Sequence, residues 1–264
     1  MSKKLSVIFM SVILILSSFS ICSATEKVSN NKIVNNNGQK TEIEEKSLIA
    51  AYENQNKKVL VIGNNKIEKV NLNNTNDIIL GGINDEQKEN TEIYVINNQK
   101  EGSKTCIIDV PVECDNRTST VLPMGTGSKG GSKNYARIEA KVKIYYSTIA
   151  DKDGEVGYRP TKVGGQITYL PNSAVIKSLS ANTLSSGNYH TSALKGGFQG
   201  LTSSAKKKLS VNNFKKLQIV SVSSPDRYFH CDVSDGTYVA GRYYVSYTLN
   251  AGKNSGSFYA QVNI

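Results

Sequence analysis

Tryptophan is absent from this 264-residue chain, which has only two His, four Cys and five Pro. Each scarcity excludes something. Two His and four Cys argue against a closed zinc site, which draws three or four of these side chains together. No second long apolar run follows the first 24 residues, and the mean hydropathy of -0.34 excludes a polytopic membrane protein. No G-x-S-x-G, H-E-x-x-H or phosphate-binding loop occurs. The stretch Gly125-Thr126-Gly127-Ser128-Lys129-Gly130-Gly131 matches G-x-G-x-x-G in letters only. Nothing before it reads as a buried parallel strand, and Tyr135 onward alternates like a strand where a nucleotide fold needs a helix. It reads as a loop. No cofactor is expected, and no metal; the chain reads as non-catalytic.

What the chain does have begins with an export signature. Lys3 and Lys4 precede an apolar stretch from Val7 to Leu16, and Cys22-Ser23-Ala24 places small residues where a signal peptidase cuts. The apolar stretch is shorter than the ~20 residues of a spanning helix, so cleavage after Ala24 is expected, giving a secreted or cell-surface protein. Cys22 as a lipidated residue fits less well, because Ile21 stands where such signals carry a small side chain.

Lys and Arg number 32 against 22 Asp and Glu, a formal charge of +10. Residues 25–103 hold 10 Lys against 12 acidic residues, whereas residues 104–264 hold 20 basic against 10 acidic. The excess positive charge of the processed chain is therefore C-terminal. Residues 25–103 also hold 17 Asn, and residues 25–40 have too little apolar content to offset chain entropy, so partial disorder is expected. Within this leader Glu44 to Tyr52 suits a short helix. Val59 to Ile62, Lys66 to Leu72, Asp77 to Leu80 and Glu92 to Ile96 suit short strands. Residues 104–132 read as a Cys- and Gly-rich entrance segment.

Residues 133–264 carry the clearest pattern. Ala136, Ile138, Ala140, Val142, Ile144 and Tyr146 fall on one face of an extended chain; Arg137, Glu139, Lys141 and Lys143 fall on the other, toward water. Asp151 to Gly154 supplies a hairpin turn. Gly165 to Leu170, Ala174 to Leu179 and Leu217 to Val222 are further strands, and a helical turn fits Ser203 to Leu209. Tyr243, Val245, Tyr247 and Leu249, then Phe258, Ala260, Val262 and Ile264, form the inner faces of a terminal hairpin. The expected class is all-β, an antiparallel β-sandwich of Ig-like type with a barrel as the runner-up, folding independently of residues 25–103.

Five groups of side chains invite a functional reading. Cys106, Cys114 and Cys231 survive signal removal; Cys106 with Cys114 is the economical disulfide, and Cys114 with Cys231 the alternative. His230-Cys231-Asp232 is not a catalytic cluster by itself, since strand neighbours point to opposite faces and His190 would have to serve as base. Asp151, Asp153 and Glu155 offer carboxylates to calcium without the remainder of a calcium loop. Lys206, Lys207, Lys208, Lys215 and Lys216 form the densest basic cluster, and Tyr244 and Tyr259 lie on the outer face of the terminal hairpin, able to stack on a sugar or on each other.

The composition is similar to that of exported proteins from low-GC Gram-positive bacteria. The function expected is a binding module for anionic cell-wall polymer, acidic glycan or anionic membrane surface, with nucleic acid disfavoured by compartment. A secreted bacteriocin or membrane-active toxin is the alternative, and a secreted hydrolase the next.

Overall fold

The computed structural model describes residues 37–55, 57–114, 134–231, 237–249, 252 and 254–264. The export signal, its cleavage point, the Asn35 and Asn36 positions, the Gly125–Gly131 loop and Asp232 lie outside the described residues. The chain divides into residues 1–40 and 41–264. Of the first unit only residues 37–40, the opening of a helix, are described; every other described residue belongs to the second.

The second unit is mostly antiparallel β. Helix α1 (Asn37–Glu53) precedes β1 (Val59–Ile62), β2 (Asn65–Val70) and β3 (Ile78–Gly81), then the short helix α2 (Asp85–Glu89), β4 (Glu92–Asn98) and β5 (Ser103–Cys114). After residues 115–133 come β6 (Asn134–Ala150), β7 (Val156–Tyr169), β8 (Ala174–His190), β9 (Phe198–Ser203) and β10 (Lys207–Leu209). The chain ends with β11 (Gln218–Ser221), β12 (Tyr228–His230), β13 (Tyr238–Leu249) and β14 (Asn254–Asn263). The strands follow one hydrogen-bonded path, β1-β2-β4-β5-β6-β7-β12-β8-β13-β14-β3, with β11 beside β7 and with β9 and β10 beside β8.

This sheet curls. β12 pairs with both β7 and β8, and beyond it β11 continues along β7 while β13 continues along β8. The two arms turn their inner faces together, so that β13 meets β6 and β7, and β14 meets β5 and β6. Ile108, Val110, Ile138, Val142, Ile144, Val163, Tyr243, Val245 and Val262 meet in the core between the arms. Tyr243 is fully buried because Gly165 opposite it has no side chain; a Cβ there would lie 2.3 Å from the tyrosine ring.

Three sequence expectations change here. Residues 59–103 are not a separate leader. β4 pairs with β5 and β5 with β6, and Ile78 and Leu80 of β3 enter the main core through pairing with β14. The outer face of β6 is only partly in water: Arg137 is exposed, but Lys141 and Lys143 are 2% and 3% exposed. Helix α1 lies on that side, where Leu48 and Tyr52 pack with Leu60, Ile67, Tyr94 and Ile96 in a second core. Finally, the helical turn expected over Ser203 to Leu209 is absent; Lys207, Lys208 and Leu209 are extended and pair with Ala181, Ser180 and Leu179.

The disulfide expectation also gives way. Cys106 and Cys114 belong to one uninterrupted strand, which holds their Cα atoms roughly 26 Å apart at ~3.3 Å per residue. A disulfide needs them within about 7 Å. Cys106 is a fully buried free thiol, and Cys231 is also free, which removes the alternative bridge from Cys114. Pro111 sits in β5 beyond the last residue paired to β4. Its carbonyl accepts from Gln87 Nε2 of α2 at 2.7 Å. A residue's N–H and C=O point to the same neighbouring strand, so the missing proline donor faces a side with no ladder to satisfy.

Candidate functional site

Two places gather chemistry-bearing side chains. The first is the outer face of β8, β10, β13 and β14. Register places Lys208, Ser180, Tyr244 and Tyr259 in one row across four strands. Tyr244 and Tyr259 are directly opposite, half-buried, with ring centroids 5.6 Å apart and planes tilted by 44°. Each ring meets a cation. Lys206 Nζ lies 3.4 Å from the Tyr244 centroid, and the Arg242 guanidinium lies 4.7 Å from that of Tyr259. Arg242 is anchored by Gln261 Oε1, to which its Nε donates at 3.0 Å, and Gln261 donates to Asn263 at 2.7 Å. The tyrosines thus pair with each other and hold cations over their faces, rather than standing free to stack on a sugar.

Lys207 and Lys208 lie on β10, whereas the Lys215 carbonyl accepts from Gln166 Nε2 of β7 at 2.7 Å. Lys206, Lys207, Lys208, Lys215 and Lys216 are all exposed, and none joins an ion pair among the described residues. Lys215 and Lys216 lie in a loop whose ends are tied by Ser210 and Gln218. The Ser210 N–H donates to Gln218 Oε1 at 2.7 Å, and Gln218 Nε2 donates to the Ser210 carbonyl at 2.8 Å. β10 is an edge strand, where lysine also discourages pairing with another chain.

The second place is a cavity of about 910 Å³ at the ends of β6, β7, β8 and β12, lined by Asp151, Glu155, His190, His230 and Cys231 among others. Because β12 pairs with β7 and β8 at once, it brings His230 beside Gly157, and Tyr228 beside His190. The His190 ring stacks on Tyr228, with centroids 5.8 Å apart and planes 16° from parallel. It fits only because residue 157 is glycine; a Cβ there would stand 2.4 Å from His190 Cε1. His190 Nδ1 and His230 Nε2 are 3.2 Å apart, and His230 Nδ1 is 3.3 Å from Glu155 Oε2.

Asp151 comes to the same place from the β6–β7 turn. Its Oδ1 accepts from the backbone N–H groups of Asp153 at 2.9 Å and Glu155 at 2.8 Å. Desolvation opposes its charge, but these two bonds, with help from the nearby His230 and His190, outweigh it and hold its carboxyl below the usual carboxylate range. One donor atom from each of Asp151, His190 and His230 lies within 4.8 Å of the others. Asp153, grouped with Asp151 and Glu155 in the sequence as carboxylates for calcium, is not part of this set.

Cys231 lines the cavity without the features of a nucleophile. Burial pushes its thiol up to about 11, and His190 directs Nδ1 at His230. The sequence showed each histidine singly, but not their meeting. β12 has three residues, too few for alternation to reveal which strands it joins.

No helix among the described residues is long and apolar enough to cross a membrane. Compared with known proteins, the chain matches no family model, no curated protein and no solved structure.

Proposed function

We propose that the protein is an exported, non-catalytic module whose lysine-bearing edge binds an anionic polymer of the cell surface, with phosphate-rich polymers of the teichoic-acid class as the preferred ligand. On this reading the first 24 residues are a signal removed after Ala24, the source is a Gram-positive bacterium, and the arms of the curled sheet are the layers of an Ig-like sandwich. The observation that carries the proposal is the position of Lys206, seated on Tyr244 on the outer face, where the register row of Lys208 also lies. A cation held over an aromatic face loses less freedom on meeting an anion than a free lysine does. Several such charges along one strand edge match the repeating charge of a polymer.

The test is co-sedimentation with purified Gram-positive walls, with and without teichoic acid, at low and moderate salt. Exposed charges are screened over about 8 Å at physiological ionic strength, so binding should be strongest at low salt and on teichoic-acid-bearing walls. Changing Lys206, Lys207, Lys208, Lys215 and Lys216 to Gln should abolish most of it while leaving the fold intact, since surface substitutions usually cost less than about 0.5 kcal/mol. Equal sedimentation of both proteins would reduce the lysines to guards of an edge strand. Lysine-dependent binding and dye release from anionic phospholipid vesicles, without wall binding, would move the reading to a membrane-active protein.

A further inference from the structure

We propose that Asp151, His190 and His230 form a binding site for a divalent transition-metal ion of the zinc class, with Glu155 as the positioning residue behind His230. This site is independent of the lysine edge.

The two imidazoles have few protons to share. A neutral imidazole carries one N–H and one lone pair. The Glu155 carboxylate opposite His230 Nδ1 assigns the His230 proton to that nitrogen and leaves Nε2 as a lone pair. His190 must then give its own proton to the 3.2 Å contact from Nδ1, and its Nε2 is left bare. His190 is 1% exposed, and its Nε2 has no hydrogen-bond partner among the described residues. The 3.2 Å contact thus holds at most one proton between two nitrogens, and with the His190 proton on Nε2 instead both nitrogens present lone pairs to each other, an arrangement that only a shared cation satisfies.

A metal ion between His190 Nδ1 and His230 Nε2 fits the geometry already present. Two imidazole nitrogens bound to one ion at ~2.0–2.1 Å with a tetrahedral angle stand about 3.3 Å apart. His190 Nδ1 and His230 Nε2 stand at 3.2 Å. The Asp151 carboxylate supplies a third donor, already ionised and fixed in direction by two backbone N–H groups that use Oδ1 and leave its other oxygen. Glu155 on the far nitrogen of His230 reproduces the carboxylate–histidine–metal arrangement that sets tautomer and ring orientation. The Tyr228 stack and the space at Gly157 fix the other ring.

The donor set selects the ion. Two imidazoles and one carboxylate suit zinc and its first-row neighbours, whereas calcium and magnesium require mostly oxygen. Three protein donors beside an open cavity leave a fourth position for water or an anionic ligand. The two histidines of the chain, too few for a site built from His and Cys alone, suffice once a carboxylate completes the set.

The experiment uses the full chain, stripped with chelator and titrated with Zn²⁺ by calorimetry and with Co²⁺ by visible absorption. One ion per chain should bind, Co²⁺ should give the d–d bands of a four- or five-coordinate nitrogen–oxygen site, and Ca²⁺ should not compete. Asp151→Asn and His230→Gln, the milder of the ligand changes, should each weaken binding by at least tenfold with circular dichroism unchanged. Glu155→Gln should weaken it about 10–100-fold through ring orientation while the Co²⁺ bands persist at saturation. A folded wild type that binds no ion, or binding unaffected by Asp151→Asn and His230→Gln together, would overturn the proposal. Should either single variant unfold, Co²⁺ bands of the wild type lacking any nitrogen-ligand shift would overturn it equally.

Discussion

Glu101 lies in the turn between β4 and β5, where its carboxylate accepts from Lys143 Nζ at 2.8 Å and from Ser103 Oγ at 2.7 Å. Desolvation opposes the charge of both partners, but the contact prevails, holding the Glu101 carboxyl below its ordinary range and the Lys143 ammonium above its own. The depressed carboxyl contributes stability that is present above the ordinary glutamate value of 4.5 and lost as pH falls through the folded value. The raised lysine contributes stability lost as pH rises past 10.5 and through its folded value. Glu101→Gln should cost about 1–3 kcal/mol near neutrality, because the buried Lys143 loses its charged acceptor. Urea midpoints of wild type and variant should differ by a constant amount from about pH 5 to 9 and converge below about pH 4.5. A difference that does not narrow as pH falls below 4.5 would show that the pair does not act through its charges.

At the level of elements, helix α1 is fastened to the sheet by a buried ion pair. Lys141 Nζ meets Glu45 Oε2 at 2.6 Å, with both side chains under a tenth exposed. Lys141→Met alone strands the Glu45 carboxylate in the second core and should destabilise by about 3–5 kcal/mol, with early loss of the helix by circular dichroism. Lys141→Met with Glu45→Leu should recover most of that, since an apolar pair of similar size replaces the ions without an orphaned charge. A double variant no better than the single would mean that the pair directs the helix to its place as well as holding it. The elements themselves were largely legible. Alternation located β6, β13 and β14, and the short runs at β1 to β4 stand within a few residues of their expected places. β5 was obscured by Pro111 and two cysteines, although Cys106, Ile108, Val110 and Val112 alternate into the core as plainly as β6 does. The lysines of β6 were misread for a different reason: polarity in a sequence does not show whether water or a partner element meets it.

For the whole molecule, the charge and Asn boundary near residue 103 describes surface composition and not strand pairing. A chain of residues 133–264 would expose the long edge of β6 that β5 covers, and the stretch of β14 that β3 covers. It should aggregate or lack amide protection, where the pattern of its own strands alone suggested independence. A well-dispersed, protected spectrum from that fragment would show the early strands to be ornaments on a complete core. The same limit applied to the histidine cavity. Its turn at Asp151 was readable, whereas the convergence of three strand ends depends on register that local sequence does not encode.

The pairing of β3 with β14 also fixes an order of events in time. Ile78 and Leu80 leave the ribosome early, yet their partners Val262 and Ala260 lie in the final strand. At about 5–20 residues per second, translation alone separates the two by about 10–40 s. During that interval the core cannot be closed, whatever the earlier strands have achieved among themselves. Closure of the core therefore waits for β14, and a product truncated before β14 keeps an open seam along β13 and β3.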